Sequence, residues 1–266
     1  MLKKTLLWGF ALLLTLGAVY YTRLTGPTKP YKGSVALGQK TIHFSLIRTY
    51  NKPADAPAKV VVPDTSISGH YRYRRTPSHD EWTQAPLLRE GDELIAYIPQ
   101  QPSAGKVAYQ VTLEKDGAQV VLSEEPIVIR FRNDVPAWAM IPHILLMFAA
   151  IFLSTRAGMA GVFRHRTYGL SLATLLLLLG GGLIFGPIVQ KYAFGAFWTG
   201  WPFGTDLTDN KTLVMFLFWL FAFIKVRKNP YHRTWVIVAA VATLIAYMIP
   251  HSLLGSEIDF TQEGMQ

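Results

Sequence analysis

The chain has 266 residues, of which 50% are hydrophobic and only 16% are charged, and it contains no cysteine. Soluble domains carry roughly 25% charged residues, so this composition predicts membrane-embedded segments. The lack of cysteine excludes disulfides, iron–sulfur clusters and thiolate metal sites within the chain. The net charge of +9 does not predict nucleic-acid binding, because the unbalanced basic residues fall in short segments beside apolar runs.

Residues 1–30 predict a signal-anchor helix followed by a linker. Lys3 and Lys4 precede an apolar run over residues 5–21, which is about the minimum length of a membrane span. A cleaved signal peptide is the alternative. Tyr20 and Tyr21 are too bulky for the small residues that precede a cleavage site. We therefore expect this helix to be retained.

Residues 31–134 predict an extracytoplasmic all-β domain. Seven short alternating segments are separated by Pro, Gly, Asp and Ser, a pattern typical of a β-sandwich; they are residues 41–46, 58–62, 70–74, 93–98, 106–113, 119–122 and 127–131. Asp116 and Gly117 predict a hairpin turn. Residues 102–105, leading to Tyr109, resemble the entry to a tyrosine corner, as found in immunoglobulin-like and fibronectin-like sandwiches. That resemblance implies an immunoglobulin-like or fibronectin-like topology and no activity.

A basic and aromatic strand lies within this domain, over residues 71–75. Two interpretations are open. The strand forms a patch for an acidic partner, or it is an exposed strand face with cross-strand ion pairs to Asp80, Glu81 or Glu90.

Residues 135–250 predict a transmembrane bundle of four spans, making five spans in total. The apolar runs are residues 135–155, 168–189, 212–224 and 234–249. Three glycines at 180–182 predict either a kink or close approach of a neighbouring helix. Residues 190–211 form an aromatic loop, and residues 251–266 form a short tail. The predicted fold class is thus membrane α-helical plus all-β.

The distribution of charge predicts the orientation. The segments assigned to the cytoplasm hold nine basic residues and no acid; they are Lys3, Lys4, Arg156, Arg164, Arg166, Lys225, Arg227, Lys228 and Arg233. Cytoplasmic loops of membrane proteins carry such an excess, which also favours anionic lipid. We therefore expect a bacterial inner-membrane protein with a cytoplasmic N-terminus. Its β-domain and C-terminus are then extracytoplasmic.

Two histidines lie near span ends on the extracytoplasmic side. His143 has Met147 one turn later, and His251 has Met248 three residues earlier. Imidazole and thioether groups bind haem b iron or copper. The competing interpretation is structural, because histidines are tolerated near helix ends and methionines commonly fill cores. If the protein binds haem b, the purified protein should show a Soret band. If it binds copper, the purified protein should contain copper.

The aromatic loop supplies a second set of candidates, Trp198, Trp201, Asp206, Asp209 and Lys211, with Glu257 from the tail. Asp206 and Asp209 precede or begin an apolar span, which predicts helix capping. A cation or ligand site and ion pairs within the loop are the alternatives.

The sequence contains no nucleophile elbow, P-loop, HExxH motif or dinucleotide-binding glycine pattern. We therefore expect a non-enzymatic membrane component that sits in the lipid bilayer. Its β-sandwich is predicted to bind a protein partner in an envelope, respiratory or cofactor-assembly complex. A haem b or copper protein using His143 and His251 is the alternative function.

Overall fold

The computed structural model describes residues 2–38, 40–250, 255 and 257–262, and side chains from residue 5 onward. The chain divides into two compact units. The membrane unit comprises Met1–Pro27 and Val135–Ser256, and the β unit comprises Thr28–Asp134 and Glu257–Gln266.

The membrane unit is helical. Its helices are α1 (Leu2–Thr25), α2 (Ala137–Val162), α3 (Tyr168–Leu178), α4 (Gly186–Phe194), α5 (Leu207–Lys228) and α6 (Arg233–Met248), with a π-helical segment (Leu179–Phe185) joining α3 to α4. Within the described residues, four helices are long and apolar enough to cross a membrane: Thr5–Thr25, Ala137–Val162, Tyr168–Phe194 and Leu207–Lys228. Helix α6 is apolar but shorter. The chain is therefore a membrane protein with a β-rich region, as predicted.

Helices α2, α3, α5 and α6 pack in a ring, with α1 against α2 and α6. Small residues allow the closest contact, since a Cβ built on Gly158 would lie 2.6 Å from the Ala240 Cβ. In the centre, Trp219 is fully buried and its indole Nε1 donates a hydrogen bond to Thr243 Oγ1 at 2.8 Å. Buried indoles require such a partner, so this bond fixes α5 against α6.

The three glycines bring neighbouring helices close, which was one of the two alternatives predicted for them. A Cβ on Gly181 would lie 2.8 Å from the Leu146 Cβ of α2, and one on Gly182 would lie 2.7 Å from the Thr212 Cγ2 of α5. The helix also changes here to π geometry, which often marks a functional or strained position.

Helix α2 continues to Val162, whereas the predicted span ended at residue 155. The loop assignment of Arg156 is therefore wrong. Arg156 lies inside the helix and is only 5% exposed. Its charge ended the apolar run in the sequence, but the small residues after it keep the helical pattern of burial.

The described residues of the β unit form eleven strands in three sheets. The strands are β1 (Tyr31–Leu37), β2 (Lys40–Leu46), β3 (Thr49–Tyr50), β4 (Ala56–Val61), β5 (Ser68–Arg75), β6 (Thr83–Pro86), β7 (Leu88–Glu90), β8 (Glu93–Ile98), β9 (Lys106–Lys115), β10 (Ala118–Val121) and β11 (Ile127–Phe131). The sheets are β1-β2, β3-β11-β9-β5-β6 with β10 on β9, and β4-β8-β7. All pairs are antiparallel except β3 with β11. Each of the seven predicted segments coincides with one of these strands.

The three sheets share one hydrophobic core, which includes Leu46, Ile98 and Leu113. Asp116 and Gly117 join β9 to β10 with φ of 50° and 80°, as the hairpin prediction required. The tyrosine-corner interpretation is wrong. The Tyr109 hydroxyl donates to the Ile47 carbonyl at 2.8 Å, so it ties β9 to a segment far upstream and not to the preceding turn.

The C-terminal segment packs within the β unit. Phe260 is 5% exposed, and its backbone N–H donates to the Pro77 carbonyl at 3.1 Å. The Arg75 guanidinium lies 4.5 Å from the centre of the Phe260 ring. Glu257 forms an ion pair with Lys106 of β9. These contacts make the tail part of the β unit.

Candidate functional site

The first turn of α5 organises the aromatic loop. We call this end of the membrane unit, where α2 and α5 begin and α4 and α6 end, the loop end. Asp206 is the N-cap of α5, and its Oδ1 accepts hydrogen bonds from the backbone N–H groups of Thr208 at 2.7 Å and Asp209 at 3.3 Å. The capping interpretation of Asp206 is therefore confirmed.

Asp209 has a second role that capping alone does not explain. Its Oδ2 accepts hydrogen bonds from the backbone N–H groups of Thr199 at 2.7 Å and Gly200 at 3.0 Å. The neighbouring Asn210 Oδ1 accepts the Trp201 N–H at 2.7 Å. A Cβ on Gly200 would lie 2.6 Å from the Asp209 Cβ, so glycine permits this approach. The loop is thus folded onto α5.

A polar side-chain network extends from this contact into α4. Gln190 Nε2 donates to Thr199 Oγ1 at 2.6 Å, and that hydroxyl lies 3.4 Å from Asp206 Oδ2 and Asp209 Oδ2. Both carboxylates are more than nine-tenths buried. A cation would have to displace the backbone donors that already occupy them. In the described part of the chain, no group of three or more His, Asp or Glu side chains is arranged to hold a metal.

Lys211 binds the end of the neighbouring helix. It is 6% exposed, and its Nζ donates to the Ile249 carbonyl at 2.6 Å, just after α6 ends. A cation beside the carbonyl end of a helix complements the helix dipole. Lys211 therefore serves to cap α6.

The tryptophans of the loop face outward to different degrees. Trp198 Nε1 donates to the Trp201 carbonyl at 3.1 Å, which closes the loop on itself. Trp201 is 68% exposed and the adjacent Phe203 is 82% exposed. Exposed aromatic side chains beside apolar helices are typical of a membrane–water interface.

His143 is half-buried and bound to the π-helical segment. Its Nδ1 lies 2.8 Å from the Gly181 carbonyl, which also accepts the Gly186 N–H. Because a carbonyl oxygen only accepts hydrogen bonds, Nδ1 is the donor in this contact. The contact gives His143 a structural role in joining α2 to the π-helical segment.

Met147 and Met248, two of the other proposed cofactor ligands, pack in different hydrophobic clusters. Met147 packs with the core of the α2–α3–α5–α6 ring, whereas Met248 packs with Ala18, Ile151 and Tyr247. His251 lies outside the described residues. Haem b or copper binding by these side chains therefore stays a prediction.

A separate candidate lies on the β unit. The Arg72 and Arg74 guanidinium carbons each lie 4.8 Å from the Trp82 ring centre. Arg72 Nε and Nη2 also donate to Gln110 Oε1 at 3.0 and 2.7 Å. We call Arg72, Arg74 and Trp82 the Arg–Trp surface. Arg72 and Arg74 belong to this surface because alternate side chains of β5 face away from the core.

The ion-pair interpretation of the basic strand holds for Arg75. Its Nε lies 2.7 Å from Asp80 Oδ2, and this guanidinium lowers the pKa of the Asp80 carboxyl below its usual range. Arg72 and Arg74 face Trp82 instead. The basic strand thus divides into a paired arginine and two that are stacked on one ring.

Arg156 is the buried charge that the sequence assignment missed. Its guanidinium carbon lies 5.0 Å from the Trp8 ring centre. A cation–π contact supplies about 0.5–2 kcal/mol. Each buried donor left without an acceptor costs about 1–3 kcal/mol, and more when it is charged, so the ring alone does not offset the burial. The small residues at 157, 158, 160 and 161 were the sequence signal that the helix continued.

No protein-family model matches this chain, and no curated protein sequence matches it.

We expect Asp209→Ala to loosen the aromatic loop. The substitution leaves two buried backbone N–H groups without their charged acceptor, a loss of about 1.5–3 kcal/mol. Hydrogen exchange at Thr199 and Gly200 should accelerate by about 10- to 100-fold. Asp209→Asn keeps an acceptor oxygen and should lose less protection. Unchanged exchange in the alanine variant would show that Asp209 does not hold the loop.

Proposed function

We propose that this protein is a non-enzymatic membrane component whose β unit binds a protein partner within an envelope, respiratory or cofactor-assembly complex. The Arg–Trp surface carries this proposal. Arg72 and Arg74 are exposed, and no carboxylate pairs with either guanidinium among the described residues. Two guanidinium groups that form no ion pair with a described carboxylate, and that lie beside one indole, favour a partner with an acidic surface.

The Arg–Trp surface is held in place before any partner binds. Gln110, which accepts from Arg72, is buried and donates through Nε2 to the Ser123 and Glu124 carbonyls at 2.7 and 3.2 Å. Trp82 contacts both arginines. Fixing long side chains in advance reduces the entropy lost on association. Tryptophan and arginine are also enriched among residues that dominate binding energies.

The proposed orientation rests on the tail. The β unit follows α1, and the segment after α6 also packs within the β unit. Both therefore lie on one side of a membrane, which requires an even number of crossings between residues 135 and 256. Three helices long enough to cross a membrane lie between these residues. The number of crossings is therefore even only if the 16-residue α6 also crosses.

The basic residues then assign the two sides. Arg164, Arg166 and Arg233 lie at the end opposite to the loop end, where α2 and α5 end and α3 and α6 begin. We call this the basic end and place it in the cytoplasm. The N-terminus is then also cytoplasmic, and the β unit lies on the extracytoplasmic face of a bacterial inner membrane. An immunoglobulin-like sandwich is the topology proposed for the β unit.

Three covalent connections join the β unit to the membrane unit, one after α1, one before α2 and one after α6. Five residues separate α1 from β1, and five separate β11 from α2.

Photo-crosslinking in intact cells tests the proposed partner. A crosslinking amino acid replaces Gln84, which is exposed and pairs with Arg72 across β5 and β6. We expect one crosslinked protein, reduced at least about tenfold when Arg72→Glu and Arg74→Glu are combined, because charge reversal repels an acidic surface.

The control is Lys32→Glu, which reverses an exposed charge elsewhere on the β unit. It should leave the crosslink unchanged. A crosslink that survives the double arginine reversal, or the absence of any crosslinked protein, would contradict the proposal.

One observation supports the alternative that the protein binds haem b or copper. Metal-binding histidines commonly donate their other ring N–H to a carbonyl, as His143 does. On this alternative, the detergent-purified protein shows a Soret band or bound copper that His143→Ala removes. A colourless and metal-free preparation would eliminate it.

A further inference from the structure

The guanidinium of Arg156 is buried without an adequate partner. Its Nε and Nη1 atoms have no hydrogen-bond partner among the described residues, and the side chain is 95% buried. The Trp8 ring of α1 lies on one face of the group. Buried guanidinium nitrogens are strong donors that normally bind oxygen, so these two donors are left unsatisfied by the described part of the chain.

The membrane unit contains no acid that can reach Arg156. Its sequence holds two carboxylates, Asp206 and Asp209, and both lie at the loop end. Gly181 packs beside Leu146 at that end, and Arg156 lies ten residues further along α2, which is about 15 Å. Neither carboxylate is its counter-ion.

A second polar group near the same end is also without a partner. Ser171 is fully buried on α3, close to the start of that helix, and its Oγ has no hydrogen-bond partner in the described part of the chain. A serine in a helix usually donates to the carbonyl four residues earlier. Thr174 does so to Leu170 at 2.8 Å.

If α2 crosses a bilayer, Arg156 would lie near the boundary between lipid headgroups and acyl chains. It lies six residues before the end of α2, about 9 Å along the helix axis. The exposed Arg164 and Arg166 follow at the basic end. Phosphate oxygens at this depth come from the membrane lipid itself, and anionic lipids concentrate beside clustered basic residues.

We propose that Arg156 binds the phosphate of an anionic phospholipid from the leaflet at the basic end. Its guanidinium donates to the phosphate oxygens while the Trp8 ring covers one of its faces. The ligand chemistry is a phosphate oxyanion, which arginine recognises through several parallel N–H donors. The lipid supplies a counter-charge that neither Asp206 nor Asp209 of the membrane unit provides. This site is separate from the Arg–Trp surface of the β unit.

Thermal unfolding of the full-length protein in detergent tests this site. A ligand that binds only the folded protein raises its unfolding temperature. Phosphatidylglycerol should raise the unfolding temperature of the unmodified protein by about 5 °C or more. Phosphatidylcholine should raise it much less. Arg156→Met should abolish the phosphatidylglycerol effect, because it removes every donor and leaves an apolar side chain of similar length.

The matched control is Arg227→Met, which removes one positive charge from the same end at an exposed position. It should respond to phosphatidylglycerol as the unmodified protein does. If Arg156→Met does not fold, Arg156→Lys replaces it in the test. Lysine keeps the positive charge but has fewer N–H donors, so phosphatidylglycerol should raise its unfolding temperature less. Native mass spectrometry of the unmodified protein should show phosphatidylglycerol retained in preference to phosphatidylcholine.

An equal response in the Arg156 variants and the unmodified protein would overturn the proposal. So would an equal rise with inorganic phosphate alone, which would assign the site to a free anion. Loss of a co-purifying protein in Arg156→Met without any lipid effect would also overturn it, and would identify a protein carboxylate as the partner.

Discussion

The binding of the chain's last described segment to the β unit constrains the rest of the molecule. Phe260 is buried under the Arg75 guanidinium, and the Ile258 N–H bonds to the Ala104 carbonyl at 3.4 Å. In the proposed orientation, the segments before α2 and after α6 leave the membrane on the same side. A helix of 16 residues such as α6 is about 24 Å long, less than the roughly 30 Å hydrocarbon core. Lys211, which binds the Ile249 carbonyl, satisfies a backbone group just after this short helix ends.

The two ends of the membrane unit differ in how their polar groups are satisfied. At the loop end, backbone N–H groups bind Asp209, and His143 binds a carbonyl of the π-helical segment. In hydrocarbon each unsatisfied backbone group costs several kcal/mol, so these contacts stabilise an irregular loop and a π-helical segment. At the basic end, Arg156 and Ser171 retain unpaired atoms. Polar groups at the loop end are thus satisfied within the chain, whereas at the basic end we propose that a lipid phosphate satisfies Arg156.

Local signals in the sequence predicted local structure well. Alternation placed β8 and β11 at their observed bounds, Asp116 and Gly117 specified a hairpin, and Asp206 capped α5. Each of these predictions depends only on residues that are close together in the sequence. The strands β3 and β7 have two and three residues, too few to show alternation.

Contacts between distant segments could not be read from the same patterns. The Tyr109 hydroxyl bonds to a carbonyl 62 residues away, although its local context predicted a nearby turn. Docking of the tail depends on Phe260, a single aromatic residue with no periodic neighbours. The fold of the aromatic loop depends on Asp209 reaching back to Thr199 and Gly200. Composition predicted an aromatic loop, but not which carboxylate holds it.

The most direct test of this account is the side of the membrane on which each segment lies. The chain lacks cysteine, so single cysteines at Lys32, Arg166 and Gln262 report separately on the β unit, the basic end and the tail. In intact cells, a membrane-impermeant maleimide should label the cysteines at 32 and 262 and leave the one at 166 unlabelled until the cells are opened. Labelling at 32 without labelling at 262, or labelling at 166 in intact cells, would contradict the account.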